Sequence, residues 1–535
     1  MASRLATILV FVIVGATLIA GLMVGAQRDD ANGPVDLIIV NGKVYPGGGA
    51  TMQEAVAVRG NQILRVGSNR DVKRLRRAQT VVVDAHGATV LPGLNDARVQ
   101  LTAGALSLDQ LDLSSATTLD QLETLLTEYA DDIPAGEWVL GRNGDSSLFA
   151  TANVAARKIL DEDVPDRPVM LLNDTGTIAW ANSEALKRAG IGARTRKAPA
   201  AAVVNDRKTA EPTGVLKAEA IDLMTHVLPE PSHAEKLVAL RAAIEEAHRV
   251  GVTSVQTANG TADEMELLKE IRQQGELTLR VFGAVAVSED IDEDAVMALD
   301  TIRARFPDDP TLKLGGAEVV CSCDSEKLKR AVTLLDKHDW HVMVRASGEA
   351  DVHAALDAFE HAAAVNPVPE SGRRFRVEDI NAVSPEDLAR LSRFTVMAEA
   401  LGSDASSDAT PLWNVLTDAG ARLLFGSDWP SGSFDPRDTM ESALNAPLDS
   451  PPADLATPAA RSLRTIVDAY TSQAAFASFD EHRKGKLAPG MLADIVIFSN
   501  DIFHDPPQSL KDSAVTVTIF DGKVVYQRPA HATSN

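Results

Sequence analysis

Eleven histidines and two cysteines are the side chains in this sequence best suited to holding a transition metal. Their spacing does not favour that chemistry. No two histidines stand as H-x-H or H-E-x-x-H, the spacings that place two imidazoles on one face of a strand or helix. His86, His226, His248, His338, His353 and His361 fall on helical or surface segments by pattern and read as solvated or structural. Cys321 and Cys323 form a C-x-C pair, whose disulfide would close a very small, strained ring. They read as buried thiols on one side of a strand, with no further soft ligand nearby.

The elements that would position any site are legible from periodicity. Val35 to Val40 is an apolar strand, and Asn41-Gly42 is a hairpin signal leading into Lys43 to Tyr45. Ala55 to Val58, Gln62 to Val66 and Thr80 to Val83 continue a small β block. A matching block closes the chain, with Ala493 to Phe498 and a hairpin at Asp521-Gly522 between Val515 to Phe520 and Lys523 to Tyr526. Two such blocks can join into one β-sandwich module beneath whatever lies between.

The centre alternates strands with amphipathic helices, as in Thr253 to Gln256, Leu279 to Val287, Ser325 to Lys337, His341 to Val344 and Val352 to Ala364. Such alternation predicts βα units, a parallel sheet and a (β/α)8 TIM-like barrel. The expected organisation is therefore a β module over 35–88, a barrel over 89–483 and the second half of the β module over 484–527. The rhythm fails over about 106–230, which reads as an insertion.

Leu5 to Ala26 is a run of 22 residues without a charge. A helix of that length crosses ~30 Å of hydrocarbon, and a signal peptide's apolar core is usually shorter, ~7–15 residues. Residues 1–30 therefore predict an N-terminal apolar helix, either a retained membrane anchor or a cleaved signal, with the body outside the cytoplasm. The net charge of -23 and 4% aromatic content argue against a phosphate-backbone partner, so nucleic acid is excluded.

Several motifs carry a resemblance. Leu91-Pro92-Gly93-Leu94-Asn95-Asp96 resembles the opening of the first barrel strand in the amidohydrolase superfamily, and Gly426-Ser427-Asp428-Trp429-Pro430 resembles its GSDxP motif after the last strand. Ala469-Tyr470-Thr471 and Lys484-Gly485-Lys486-Leu487-Ala488-Pro489-Gly490-Met491-Leu492-Ala493-Asp494 resemble its C-terminal signature. Leu111 to Ser114, Asn182 to Leu186, Glu211 to Gly214 and Gly251 to Val255 are similar to the family 3 branch, that of N-substituted formamide deformylases. The likeness runs from about 35 to 527.

The resemblance implies one or two divalent metals such as zinc at the carboxyl end of the barrel, where a bound water is acidified to a pKa of ~7. The residues at the implied ligand positions depart from it. The H-x-H pair of the first strand is replaced by Arg98 and Gln100. Glu318 stands in the segment where the family often has a lysine. Arg345 and Asp379 stand where two further histidines belong, and pocket triplets read Thr175-Gly176-Thr177 and Val255-Gln256-Thr257. Asp428, in the family both ligand and proton acceptor, is retained.

Arginine has no lone pair to offer a metal and stays protonated. The expectation from these residues is thus no cofactor, and a salt-bridged cluster in which Arg98 and Arg345 satisfy Glu318, Asp379 and Asp428. The function expected is that of a non-catalytic relative at a membrane or outside the cytoplasm, binding a small molecule or a protein. The alternative is a hydrolase of non-peptide carbon–nitrogen bonds, metal-independent or using an atypical carboxylate site.

Overall fold

The computed structural model describes residues 35–151, 156–192, 202–217, 219–321, 324–393, 397–399, 412–445, 458–505 and 510–529. The apolar run 5–26 lies outside the described residues. Among the described residues no helix is long and apolar enough to cross a membrane.

The chain folds as mixed α/β around a TIM-barrel-like parallel sheet. Its eight strands follow chain order: β1 Leu94–Val99, β2 Val252–Thr257, β3 Arg280–Val287, β4 Leu312–Val320, β5 His341–Arg345, β6 Arg376–Glu378, β7 Met397–Glu399 and β8 Arg422–Leu424. Backbone bonds join the two ends of the series. Ala97 N–H donates to the Phe425 carbonyl (3.1 Å), Asp428 N–H to that of Arg98 (2.9 Å) and Gln100 N–H to that of Trp429 (2.9 Å). Every strand is therefore hydrogen-bonded on both sides, which holds side chains at the carboxyl ends in a ring.

The helices around the sheet start where their sequences cap them. The Ser232 hydroxyl accepts from Glu235 N–H, and the Ser232 N–H donates to the Glu235 carboxylate, at the head of His233–Arg249. Asp292 caps Glu293–Arg303 and Asp324 caps Ser325–Lys337. Leu328, Val332 and Leu335 then repeat at helical spacing on the buried face of Ser325–Lys337.

The chain ends build two further sheets with a shared core. One has the order Gln62–Gly67, Ala55–Arg59, Leu37–Val40, Val81–Asp84; the other runs Lys43–Val44, Thr89–Pro92, Ile495–Phe498, Val515–Phe520, Lys523–Gln527. Leu37, Ile39, Val56 and Val58 from the first pack on Ile495, Ile497, Val517 and Ile519 from the second. The Asp521-Gly522 hairpin forms with both turn residues at positive φ (52° and 79°).

The expected hairpin at Asn41-Gly42 does not form. Lys43–Val44 pairs in parallel with Thr89–Val90, so the chain crosses here from one sheet to the other. A side chain at Gly42 would meet a Val90 methyl at 2.8 Å, so glycine lets the chain pass close to Val90 at the crossing. Six strands between Leu111 and Lys217 form a separate sheet with apolar clusters centred on Leu122, Leu171 and Trp180 and on Met170, Leu186 and Leu216.

At the amino end of β5, His341 is buried, edge-on to Phe282 and Phe479 at 6.0 and 5.3 Å between ring centroids. Burial, aided by the nearby Arg376 and Arg374 charges, holds its pKa down to about 3. The unfolded chain takes up this proton below about pH 6.5 and the folded chain does not until near 3. The unfolded state thus binds more protons in that window. This contribution to stability is constant above pH 6.5 and is lost progressively as pH falls towards 3. His341→Phe should remove about 2 kcal/mol of the difference in stability between pH 7 and pH 5, measured by urea unfolding. An unchanged pH dependence in the variant would refute the assignment.

Candidate functional site at the carboxyl end of the barrel

Strand alternation sends Asp96, Arg98 and Gln100 of β1 and its exit to the same side. Arg98 is fully buried, and its guanidinium is the hub of the site. Its Nε donates to Asp428 Oδ1 (3.1 Å) and its Nη1 to Glu318 Oε1 (2.9 Å). Nη1 also bonds the Glu378 carboxylate. These three acids come from β4, β6 and the turn after β8, so one cation ties the two ends of the series and its middle together.

Each acid has further donors. Gln100 Nε2 donates to Asp428 Oδ1 (3.1 Å), and the Asn259 N–H donates to Glu318 Oε2 (2.6 Å). Arg376 Nη2 lies 2.8 Å from Glu378 Oε1, while Arg376 Nη1 donates to Gln256 Oε1 (2.9 Å). Asp428 is held at positive φ (46°), in the left-handed region that most side chains avoid.

Two acids here are shifted upward. Burial pushes the Glu378 carboxyl up, against the opposing charges of Arg376 and Arg98, and the neighbouring Glu318 and Asp428 push the same way as burial. Burial also raises Asp96 to about 6, although the Ser427 and Arg98 N–H groups stabilise its ionised form.

The sequence-predicted residues separate into two groups. Arg98, Gln100, Glu318 and Asp428 converge. Arg345 and Asp379 pair with each other instead, Arg345 Nε donating to Asp379 Oδ2 (3.1 Å) beside the Ser347 hydroxyl (2.8 Å). Asp379 follows the last residue of β6 at a φ of 60°, so it leaves the strand's alternation, and the inward acid is its predecessor Glu378. Sequence reasoning missed Glu378 and Arg376. The signal was there, since two residues apart on one strand they share a face. Thr175 and Thr177 lie outside this cluster, on the insertion, bonded to each other (2.7 Å) and to Asn173.

The other metal-capable side chains lie elsewhere. His248 is structural, bonding the Thr278 carbonyl (2.8 Å), and His338 bridges Asp300 and Glu293 on the helical exterior. Cys321 is half-buried just beyond the end of β4, less enclosed than expected, and Cys323 lies outside the described residues.

An amidohydrolase family profile matches residues 81–526. The chain belongs to the amidohydrolase family. It is similar to Protein LONG AFTER FAR-RED 3 of Arabidopsis thaliana, 28% identical over 92% of this chain and 91% of the relative. It is also similar to the N-substituted formamide deformylase of Arthrobacter pascens, 26% identical over 92% of this chain and 98% of the relative. In fold it resembles an uncharacterized metal-dependent hydrolase from Pyrococcus furiosus, with a TM-score of 0.65 and 19% identity over 88% of this chain and 99% of that one. An adenosine deaminase from Xanthomonas campestris with bound zinc has a TM-score of 0.52 and 16% identity, over 92% of this chain and 93% of that one.

These amidohydrolase comparisons correct the expectation of no cofactor. The structural neighbours include metal-dependent hydrolases, one with zinc bound, so the family points to divalent metal ions. The side chains of this chain do not fit such an ion in the arrangement described. Among the described residues, no group of three or more histidines, cysteines and acids is disposed to hold a metal. Glu318, Glu378 and Asp428 are already directed at a guanidinium, which would repel a dication. No step is therefore routed through a metal.

Proposed function

We propose that this amidohydrolase-family protein binds a ligand at the carboxyl end of its barrel and does not hydrolyse it. The observation that carries this reading is the Arg98 guanidinium bonded to Glu318, Glu378 and Asp428. Hydrolysis of an amide requires an activated water and a free proton acceptor within hydrogen-bond reach of it. Asp428, the retained acid, instead accepts from Arg98 and Gln100. The test is an assay of the purified full chain on N-substituted formamides and simple amides, with zinc, manganese or magnesium supplied. No turnover above buffer is expected. Turnover that disappears in Asp428→Asn would overturn the reading.

A second reading, hydrolysis of a non-peptide carbon–nitrogen bond, is favoured by Asp96 of β1, whose carboxyl burial raises to about 6, since an acid so shifted can exchange protons near pH 7. It is also in keeping with the formamide deformylase relative. The same assay separates the two. Placement at a membrane or outside the cytoplasm is supported only by the charge-free run 5–26. Recovery of the intact chain in the cytosolic fraction would remove that support.

A further inference from the structure

We propose that one face of the sheet containing Leu37–Val40, carrying Arg65, Arg70, Lys73, Arg74, Arg76 and Arg77, rests on an anionic phospholipid surface. Residues 55–80 hold seven lysines and arginines against a single acid, Asp71, in a chain whose net charge is -23. Arg70 and Lys73 lie on the short helix Asn69–Lys73, Arg74 caps its end, and Arg76 and Arg77 follow in the loop, while Val72 turns inward. Arg65 stands opposite Ala57, on the face this helix covers. All six basic side chains are exposed.

Little of this charge is neutralised within the fold. Arg74 meets Asp71 only at 3.7 Å, in a largely exposed pair. Lys73 donates to Asn41 Oδ1 (3.2 Å), and Arg77 to the carbonyls of Arg74 and Arg76 (3.4 and 3.1 Å). The acids at the margin are engaged by other donors. Glu54 accepts the Asn69 N–H (2.9 Å), and Asp84 accepts from Asn41 (2.9 Å) and from the His86 N–H (2.8 Å). Salt screens charges beyond ~10 Å at about 0.1 M, so the acidity of the rest of the chain does not cancel a local cluster.

The point where the chain enters the fold selects the partner. Val35, the first residue described, lies in one apolar cluster with Val72, and its carbonyl accepts the Thr80 hydroxyl (2.8 Å). Eight residues separate it from the end of the charge-free run 5–26, a reach of about 26–29 Å at full extension. The inference rests on the reading of that run as a bilayer segment, which brings lipid headgroups within reach of this face. Clusters of about four to eight lysines and arginines beside such a segment bind anionic headgroups. The outermost strand, Val81–Asp84, adds Val81 and Val82, 52% and 40% exposed, beside the cluster. Val82 stands opposite Ile38, on the helix side, and gives the face an apolar edge suited to the lipid interface.

The experiment reconstitutes the full chain with phosphatidylcholine vesicles, with and without phosphatidylglycerol, and follows hydrogen exchange over residues 69–84. Exchange there should be about tenfold slower with the anionic vesicles than with the neutral ones, and unchanged in the barrel. The combined variant Arg70→Gln, Arg74→Gln, Arg76→Gln, at exposed positions, should lose the difference, and so should wild type in high salt. Equal exchange with both vesicles would overturn the proposal. So would protection that grows with protein density and ignores lipid charge, as a second copy of the chain would give. A chain that floats with neither vesicle would overturn the bilayer reading of 5–26 as well, whereas a floating chain with equal exchange overturns this proposal alone.

Discussion

An Arg98→Met variant is expected to lose about 3–5 kcal/mol of stability, because one substitution leaves three buried carboxylates without their shared cation. Arg98 and Glu318 are fully buried, and Glu378 and Asp428 are nearly so. Water cannot take over from the guanidinium at such depth without opening the structure. The loss should be partly recoverable. Adding Glu318→Gln, Glu378→Gln and Asp428→Asn to Arg98→Met replaces the repelling acids with neutral groups of similar shape, and should restore more than half of the lost stability. Urea unfolding of the single and combined variants reads both effects. A single variant within about 1 kcal/mol of wild type would show that the cluster is not the structural centre described here.

Removal of the Arg280 side chain should have an effect of similar size in a different place. Arg280 lies at the start of β3, and its Nε and Nη2 clamp both oxygens of Asp494 (2.6 and 2.8 Å). Nη2 also reaches Asp521 (2.9 Å), and the guanidinium stacks over Phe520 at 4.7 Å. Asp494 in turn accepts the Asp521 N–H (3.0 Å). One side chain thus fastens the barrel to the C-terminal strands through a buried bidentate pair. Arg280→Met is expected to cost about 3–5 kcal/mol and to split thermal unfolding into two transitions as the β module loosens before the barrel. Calorimetry showing a single transition at the wild-type temperature would contradict this.

What was legible in the sequence depended on how locally each feature is encoded. Period-2 and period-3.6 patterns marked Ser325–Lys337 and His341–Arg345 almost to the residue, because propensity, capping and burial agree there. Lys43–Val44 was assigned to the wrong partner. Its real neighbour, Thr89–Val90, is far away in sequence, and a turn motif reports only on adjacent residues. At the site, Arg98, Gln100, Glu318 and Asp428 were found through motif resemblance. The split of Arg345 and Asp379 from them was hidden, since it turns on the backbone leaving its strand at Asp379. Glu378 carries no motif of its own and stands beside Asp379, the position where the resemblance implies a histidine. The expectation of no cofactor came from this chain's own substitutions, which describe one member and not its metal-dependent relatives.

The strand Thr89–Pro92 leads through Gly93 directly into β1, and it is paired antiparallel with Ile495–Phe498, roughly four hundred residues away. A side chain at Gly93 would collide with Thr253 at 2.1 Å, so in the folded chain this junction packs closely on β2. During synthesis the strand leading into the barrel therefore emerges with one edge unsatisfied until Ile495–Phe498 has left the ribosome. Closing so long a loop is slow, and exposed edges are sticky in the meantime. Ribosome-bound chains stopped before Ile495 should remain open to protease at Thr89–Pro92, and chains released after Phe498 should be protected there.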